Sequence, residues 1–124
     1  MIKLHKIDTK SVDAKLKKHL WNCSYKDAGH LFSDFEYTQS EYVTCKNYIV
    51  YATYNNKFAG WGLRFKPSKY DTPAIMLHVY KKYRRKGIGT MIVKSLTNNR
   101  KINNYKYYKD SSNKYFFEKL ESQE

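Results

Sequence analysis

The sequence contains 124 residues, of which 41% are hydrophobic and 17% are aromatic. Lys and Arg number 24 and Asp and Glu number 11, so the formal net charge is +13. The aromatic content excludes a disordered basic tail, and a chain of this length buries roughly two-thirds of its unfolded surface on folding. We therefore expect one folded domain over residues 1–124 that attracts nucleic acid, anionic lipid or a phosphorylated ligand.

Several classes of protein are excluded by simple patterns. No apolar run reaches the ~18 residues of a membrane-spanning helix, and residues 1–6 have no apolar signal core, so we expect a cytoplasmic protein without a membrane partner. Cys23 and Cys45 form no CxxC pair and are predicted to be free thiols. The four histidines lack the spacing of metal ligands, so we expect no metal site; they are His5, His19, His30 and His78.

The first third of the chain predicts a strand and two helices. Residues 2–7 alternate between apolar and polar, which indicates a half-buried strand. Ser11 is the predicted cap of a helix that runs to about Trp21, with an apolar stripe at i, i+4 and i+8. The weak pattern of residues 22–46 predicts a short helix plus a loop, a segment suited to covering a binding cleft.

The middle of the chain predicts three antiparallel strands, at residues 48–54, 58–65 and 74–80. Asn55 and Asn56 tolerate positive φ and predict a tight hairpin turn between the first two. Alternation in the second strand predicts that Ala59, Trp61, Leu63 and Phe65 share one face, with Trp61 in the core. In the third strand, Ile75, Leu77 and Val79 are expected opposite Met76, His78 and Tyr80.

A basic, glycine-containing loop follows the third strand and opens a helix. The loop is the run Arg84-Arg85-Lys86-Gly87-Ile88-Gly89-Thr90. The unpaired N–H groups of a first helical turn favour an anion, and glycine lets the backbone approach that anion closely. The Arg and Lys side chains add positive charge, so a diphosphate is the expected ligand. The other interpretations of these cations are a solvated turn and a nucleic-acid patch. The helix is predicted to end at Asn98-Asn99.

Two familiar phosphate motifs are absent from this loop. The dinucleotide fingerprint GxGxxG requires a small residue where Ile92 stands, and no Gly-Lys-Ser/Thr follows a Walker-type gap. The pattern Arg84-x-x-Gly87-x-Gly89, after a strand ending Leu77-x-Val79 and before an amphipathic helix, resembles the acetyl-CoA signature of the GNAT superfamily of N-acetyltransferases. The resemblance implies an α/β (α+β) fold with a mixed, mainly antiparallel twisted sheet flanked by helices.

The resemblance also implies roles for individual residues. Acetyl-CoA is the implied co-substrate, with its pyrophosphate bound by Arg84, Arg85, Lys86, Gly87, Ile88, Gly89 and Thr90 and its pantetheine arm paired with Leu77 and Val79. The amine attacks the thioester directly, and a backbone N–H near Val79 stabilises the oxyanion. His78 is the expected general base, with Glu36 and Glu41 as alternatives. Tyr115 is the expected acid.

The last segment departs from the family pattern. Asp110 and Phe117 stand where the family has Asn and the Tyr acid, which is why Tyr115, or a tyrosine of the predicted strand 105–108, is considered instead. Asp110 or Ser111 is the expected cap of a final helix. The family's terminal hairpin is absent from these residues, so we expect either a C-terminally truncated, shorter sheet or an open edge covered by another subunit of a homodimer.

The alternative function is binding of nucleic acid or of a protein partner by a catalytically degenerate scaffold of this family. For the enzyme, the acceptor amine stays open between small molecules, proteins and aminoacyl-RNA. The aromatic and basic run at residues 105–109 is typical of a half-buried strand or of a surface for single-stranded nucleic acid.

Overall fold

The computed structural model describes residues 1–107 and 114–123. Within them the fold is α+β, with four strands and four helices in addition to short 3₁₀ turns. The strands are β1 (Ile2–Asp8), β2 (Tyr48–Tyr54), β3 (Lys57–Phe65) and β4 (Ala74–Val79). The helices are α1 (Ala14–Ser24), α2 (Gly29–Thr38), α3 (Ile88–Leu96) and α4 (Lys114–Ser122). The expected fold class is confirmed.

The strands form one sheet in the order β1-β2-β3-β4, and each neighbouring pair is antiparallel. Representative partners are His5 with Tyr51 and Trp61 with His78. A single parallel bridge joins Ala74, at the start of β4, to Lys106. The sheet is therefore a meander of consecutive strands, as the turn signals predict, and β4 lies at one edge of it.

The two faces of the sheet carry different helices. Helices α1 and α2 cover one face and bury Leu20, Phe35, Trp61 and Leu63 among their core residues. Helix α3 and the apolar side of α4 cover the other face. Alternation along β4 therefore places Ile75 and Val79 against α3, while Met76 packs with α1 and α2, as predicted.

A stack of four rings connects α1 to the sheet near β1. His19 of α1 stacks on Phe58 with ring centroids 5.5 Å apart, Phe58 stacks on Tyr51 at 5.6 Å, and Tyr51 stacks on His5 at 4.6 Å. Offset stacking of this kind adds to the free energy of burying the rings. The stack spans α1 and three strands, and it holds the first half of α1 against the sheet.

The start of α1 differs from the prediction. Ser11 closes a 3₁₀ turn, Thr9–Ser11, rather than capping a helix. The cap is Asp13, whose carboxylate accepts a hydrogen bond of 2.8 Å from the Leu16 N–H, and the helix continues past Trp21 to Ser24. Asp and Ser are both good caps. Asp8 caps the preceding turn by accepting from the Lys10 N–H, and this turn delays the helix to Asp13.

A β-bulge changes the face predicted for Ala59. The register of β2 and β3 pairs Ala52 with Gly60 but Thr53 with Phe58, so Ala59 is an extra residue on β3. One extra residue reverses the alternation beyond it. Ala59 consequently packs in the α3 core, whereas Trp61 and Leu63 pack against α1 and α2. The prediction that Ala59 shares a face with Trp61 is therefore wrong.

Two asparagine pairs form the predicted turns. Asn55 and Asn56 have φ of 49° and 69° between β2 and β3, and Asn98 and Asn99 have φ of 52° and 64° after α3. Asn tolerates the left-handed region better than other residues with a Cβ. Both predictions are confirmed.

The strand predicted at residues 105–108 is reduced to the bridge at Lys106, after a 3₁₀ turn over Ile102–Asn104. Tyr108, Asp110 and Ser111 lie outside the described residues, so the predicted cap of α4 does too. No helix in the described ranges combines the length and the apolar character needed to cross a membrane.

Close packing of α3 on the sheet depends on Gly62, and this dependence can be tested. A Cβ at Gly62 would lie 2.8 Å from Ile92 Cγ2, Leu96 Cδ1 and the Met76 carbonyl oxygen. We expect Gly62→Ala to lower the free energy of unfolding in urea by about 1–3 kcal/mol, because these atoms must shift. Gly29→Ala is the matched control: its Cβ meets nothing within 4 Å, so stability should be unchanged or slightly raised. Equal effects of the two substitutions would contradict the packing described for α3.

Candidate active site

The site begins where β4 loses its outer neighbour. The Ile75 N–H donates to the Lys106 carbonyl at 2.8 Å, and the Lys106 N–H donates to the Pro73 carbonyl at 2.9 Å. The next described residue, Tyr107, stacks on Phe117 of α4 with ring centroids 4.7 Å apart. Among residues 1–107 and 114–123, the second half of β4 has no outer neighbour, and its outer edge borders a gap.

The alternation of β4 determines which backbone groups face this gap. Because the Ile75 N–H points outward, the amide groups of Leu77 and Val79 point outward too. The Tyr80 N–H, one residue later, points the other way and donates to the Ala59 carbonyl of β3 at 2.9 Å. The Val79 carbonyl accepts from Arg84 Nε at 3.1 Å. Within the described residues this leaves the N–H and carbonyl of Leu77 and the N–H of Val79 directed into the gap.

The loop after β4 ends in a left-handed glycine that starts α3. Arg85 has φ of 65°, and Gly87, the N-cap residue, has φ of 80° and offers no side-chain cap. The first intrahelical bond is from the Met91 N–H to the Gly87 carbonyl at 3.1 Å. The N–H groups of Ile88, Gly89 and Thr90 in the first turn therefore have no acceptor within the helix. They point toward the end of the gap as free donors, an arrangement that favours an anion.

Two further elements turn the gap into a cleft of about 890 Å³. Helix α4 forms one wall, and its Phe116 approaches Gly89 so closely that a Cβ there would lie 3.1 Å from Phe116 Cε1. The turn between α1 and α2 contributes Asp27 and Ala28 to the lining, and the first turn of α2 contributes His30. The cleft thus joins the free edge of β4, the start of α3, α4 and this turn.

Most of the residues predicted for the site line this one cleft. They are Leu77, His78, Val79, Arg84, Arg85, Gly87, Ile88, Gly89, Thr90 and Tyr115. His78 is partly buried, and Tyr115 is 79% exposed. Lys86 is not among the lining residues, because its ammonium lies over the Tyr54 ring, 5.0 Å from the centroid. Glu36 pairs with Lys17 at 3.3 Å, and neither it nor Glu41 lines the cleft.

Apart from Tyr115, the sequence did not identify the residues of the α1–α2 turn, the start of α2 or the α4 wall as parts of the site. Asp27 and His30 lie at the cleft, as do Lys119 and Gln123 of α4. Asp34 lies one helical turn beyond His30. Burial raises the pKa of its carboxyl, and the nearby His30 opposes that rise. The one sequence pattern that pointed to this region was the weak periodicity of residues 22–46, which suits a segment that covers a cleft. Such a pattern cannot show which side chains reach the cleft.

The buried Cys23 thiol lies behind β4. Its Sγ is 3.8 Å from the His78 carbonyl oxygen, toward which it donates. Burial raises the pKa of this thiol to about 12, although the positive charge of Arg84 and a backbone hydrogen bond from Tyr80 oppose the rise. Cys23 is therefore a neutral thiol at neutral pH. Across the described residues there is no group of three or more His, Cys, Asp or Glu side chains arranged to hold a metal ion.

Solved structures with the same fold include acetyltransferases. A GNAT-family protein from Desulfovibrio desulfuricans has a TM-score of 0.67 and 12% identity, covering 97% of this chain and 84% of that chain. An aminoglycoside acetyltransferase from an uncultured soil metagenomic sample, in complex with sisomicin, has a TM-score of 0.59 and 16% identity, covering 99% and 87%. AAC(6')-Iy, in complex with the bisubstrate analogue CoA-S-monomethyl-acetylneamine, has a TM-score of 0.58 and 11% identity, covering 98% and 88%.

The sequence comparisons define the family. No curated protein matches the sequence. The sequence model of the acetyltransferase (GNAT) family matches residues 14–109, which include α1, the sheet from β2 to β4, the glycine loop and α3. The match covers most of the chain and contains the glycine loop with the β4 segment that lines the cleft. The chain belongs to the GNAT family of acetyltransferases.

Proposed function

We propose that this chain moves an acetyl group from acetyl-CoA to an amine, by direct attack of the amine on the thioester. One observation carries the proposal: the outward amides of β4 and the first-turn amides of α3 line the same cleft. The family to which the chain belongs uses acetyl-CoA, and AAC(6')-Iy, which shares the fold, has been captured with a CoA-based analogue. Both support the proposal.

The phosphates of CoA would bind at the start of α3. The free N–H groups of Ile88, Gly89 and Thr90 converge there with the positive end of the helix dipole. Arg84 and Arg85 line the same end of the cleft and add two guanidinium groups. Lys86, directed toward Tyr54, supplies positive charge from farther away. The pyrophosphate would therefore receive hydrogen bonds from main chain and charge from side chains.

The pantetheine arm would continue the sheet. Its amides can pair with the outward N–H and carbonyl of Leu77, in the position where β4 has no neighbouring strand. This pairing would place the thioester near the Val79 N–H, which donates to the carbonyl oxygen as negative charge develops on it. The donor is fixed by the sheet and needs no rearrangement during the reaction.

The transfer step requires two proton movements. The amine nitrogen bonds to the thioester carbon, the C–S bond then breaks, and the electron pair leaves on sulfur. We assign His78 to take the proton lost by the amine and Tyr115 to give a proton to the leaving thiolate, because both line the cleft. Phe117, at the position of the family's Tyr, is buried among Tyr107 and Phe116 and has no proton to give.

Direct attack of the amine on the thioester agrees with the protonated state of the Cys23 thiol. A route through an acetyl-cysteine would need a thiolate, since the thiolate is the nucleophile. With a pKa of about 12, Cys23 holds almost no thiolate at neutral pH. The amine is then the nucleophile that attacks acetyl-CoA.

The proposed cofactor site is tested by reversing one charge of the loop. We expect Arg84→Glu to weaken acetyl-CoA binding in calorimetry at least about tenfold, since it removes a charged hydrogen-bonding group from the phosphates. Lys94→Glu is the matched control: Lys94 is an exposed cation of α3 outside the cleft, and its reversal should leave the affinity unchanged. Folded wild-type protein that binds RNA but no acetyl-CoA would instead favour the nucleic-acid module.

The two assigned proton-transfer groups are tested by activity at saturating acetyl-CoA. We expect His78→Ala to lower kcat by about 100-fold and Tyr115→Phe to lower it less, with the Kd of acetyl-CoA unchanged in both variants. A kcat within a few-fold of wild type in His78→Ala would show that another group takes the proton.

The neutral state of Cys23 is tested by alkylation. Iodoacetamide at about pH 8 should modify the half-buried Cys45 in folded protein and leave Cys23 intact, as peptide mass spectrometry can show. In denatured protein both should react. The thiol's pKa rises from 9.0 to about 12 on folding, so its contribution to stability is complete below pH 9 and is lost as the pH rises toward 12. Modification of Cys23 as fast as Cys45 in folded protein would refute its protected state.

A further inference from the structure

The outer surface of α1 combines lysines with accessible aromatic rings. Spacings of three and four residues put four exposed side chains along one side of the helix and its C-cap. We call these four residues the α1 face: Lys15, Lys18, Trp21 and Tyr25. Trp21 is 48% exposed and Tyr25 is 44% exposed. None of the four lines the cleft, so the proposed acetyl transfer does not account for them.

The lysines of the α1 face are unfavourable for the helix itself. The positive end of a helix macrodipole favours carboxylates and disfavours cations, yet Lys15 lies in the first turn of α1 and Lys18 directly after it. Asp13, the cap, is the one acidic residue at positions 9–26. Lys17 pairs with a carboxylate of α2, whereas no described carboxylate pairs with Lys15 or Lys18. Their charge is therefore available to an anionic partner.

The two rings of the α1 face are held in place without being buried. Trp21 and Tyr25 stack with ring centroids 5.4 Å apart and 24° between the ring planes. The buried Phe32 of α2 makes a T-shaped contact with Trp21 at 5.2 Å, and Lys26 Nζ lies 5.7 Å from the centroid of the Tyr25 ring. The pair is thus anchored to the core while about half of it stays accessible. A planar ligand can stack on anchored rings with little loss of side-chain entropy.

Cations and accessible aromatic rings along one line are what a surface for single-stranded nucleic acid needs. The lysines can contact phosphates, and the rings can stack with bases, which a single strand leaves accessible. From Lys15 to Tyr25 the helix rises about 15 Å, the length of about four stacked nucleotides at roughly 3.4 Å each. A membrane fits less well, because an interfacial helix inserts its apolar side, and that side of α1 is buried in the core.

We infer that the α1 face binds a single-stranded nucleic acid, with Lys15 and Lys18 on its phosphates and Trp21 and Tyr25 on its bases. This surface is separate from the proposed acetyl-CoA site, whose arginines line the cleft. The inference goes beyond acetyl transfer and does not depend on it. Because α1 leads into the turn that lines the cleft, the bound strand would lie beside the cleft entrance.

The lysines are tested with a 12-nucleotide oligouridine in gel shifts at several salt concentrations. We expect the double variant Lys15→Gln and Lys18→Gln to bind it at least about tenfold more weakly. The slope of log affinity against log salt should become shallower by about 1.4, or about 0.7 for each lost phosphate contact. The stability of this variant in urea should be unchanged or slightly raised, because cations are removed from the positive end of α1.

The matched control for the lysines removes the same charge elsewhere. Lys94 and Lys101 are exposed cations on and after α3, which covers the opposite face of the sheet. The double variant Lys94→Gln and Lys101→Gln should leave the affinity and the salt slope almost unchanged. Equal losses in the two double variants would show that the net charge alone attracts the RNA, and would overturn the inference.

The rings are tested without changing the net charge. Tyr25→Ala should weaken oligouridine binding about fivefold or more with the salt slope unchanged, because base stacking is lost while the phosphate contacts remain. Trp21→Ala should weaken it at least as much. Tyr70→Ala is the matched control, since Tyr70 is 86% exposed with Lys69 Nζ 5.1 Å from its ring centroid but lies in the β3–β4 loop. Unchanged affinity in folded Tyr25→Ala would refute the role of the rings.

Three further measurements locate the RNA and identify its class. Saturating acetyl-CoA should leave oligouridine binding unchanged, whereas competition would place the RNA on the cleft cations instead. A 12-base-pair RNA duplex should bind more weakly than the single strand, since its bases are stacked and paired; equal binding would contradict the inference. Tighter binding to phosphatidylserine vesicles than to oligouridine would overturn it in favour of a membrane surface. Calorimetry with acetyl-CoA alone tests the proposed function independently of these outcomes.

Discussion

Among residues 1–107 and 114–123, the hydrogen bonds between β4 and its outer neighbour end at Lys106, and the candidate site is arranged around the unpaired edge that follows. An edge of free N–H and carbonyl groups is a liability in most sheets. Here the free N–H and carbonyl of Leu77 and the N–H of Val79 are enclosed by α4, the α1–α2 turn and the start of α3. The described part of the sheet therefore has an unfilled strand position inside the cleft.

The same edge explains why the loop after β4 contains two kinds of glycine. Gly87 is required by backbone conformation, since its φ of 80° starts α3 abruptly and leaves the first-turn amides free. Gly89 is favoured by space, since a Cβ there would lie only 3.1 Å from Phe116 Cε1 of α4. One glycine thus sets the start of the helix, and the other lets the cleft wall come close to it. Arg84 connects the loop to the strand by donating to the Val79 carbonyl.

Local patterns predicted the strands, the asparagine turns, α3 and the loop, because each depends on residues close in sequence. They failed where the decision is made by distant parts of the chain. The bulge at Ala59 is a feature of the β2–β3 register, and alternation within one strand cannot show it. Ser11 and Asp13 are comparable caps, and the turn capped by Asp8 decides between them.

The sequence could not place Asp27 and His30 at the cleft, because the position of the α1–α2 turn and of the start of α2 near β4 is set by the packing of both helices on β3. Lys86 was assigned to the phosphates from its charge and from its place in the family signature. Its side chain lies over Tyr54, in a loop whose course is set by the left-handed residues on either side, Arg85 and Gly87.

The two tryptophans differ in burial, so the intrinsic fluorescence of the protein reports on two regions separately. Trp61 of β3 is fully buried against α2, where the Phe35 ring meets it edge-on and its indole N–H has no partner among the described groups. Trp21 is 48% exposed on α1, the helix that leads into the α1–α2 turn. Emission from Trp61 will be blue-shifted and inaccessible to soluble quenchers, whereas Trp21 will emit like a solvated indole. Quenching and wavelength together can therefore distinguish changes beside the α1–α2 turn from loosening of the core, without any added label.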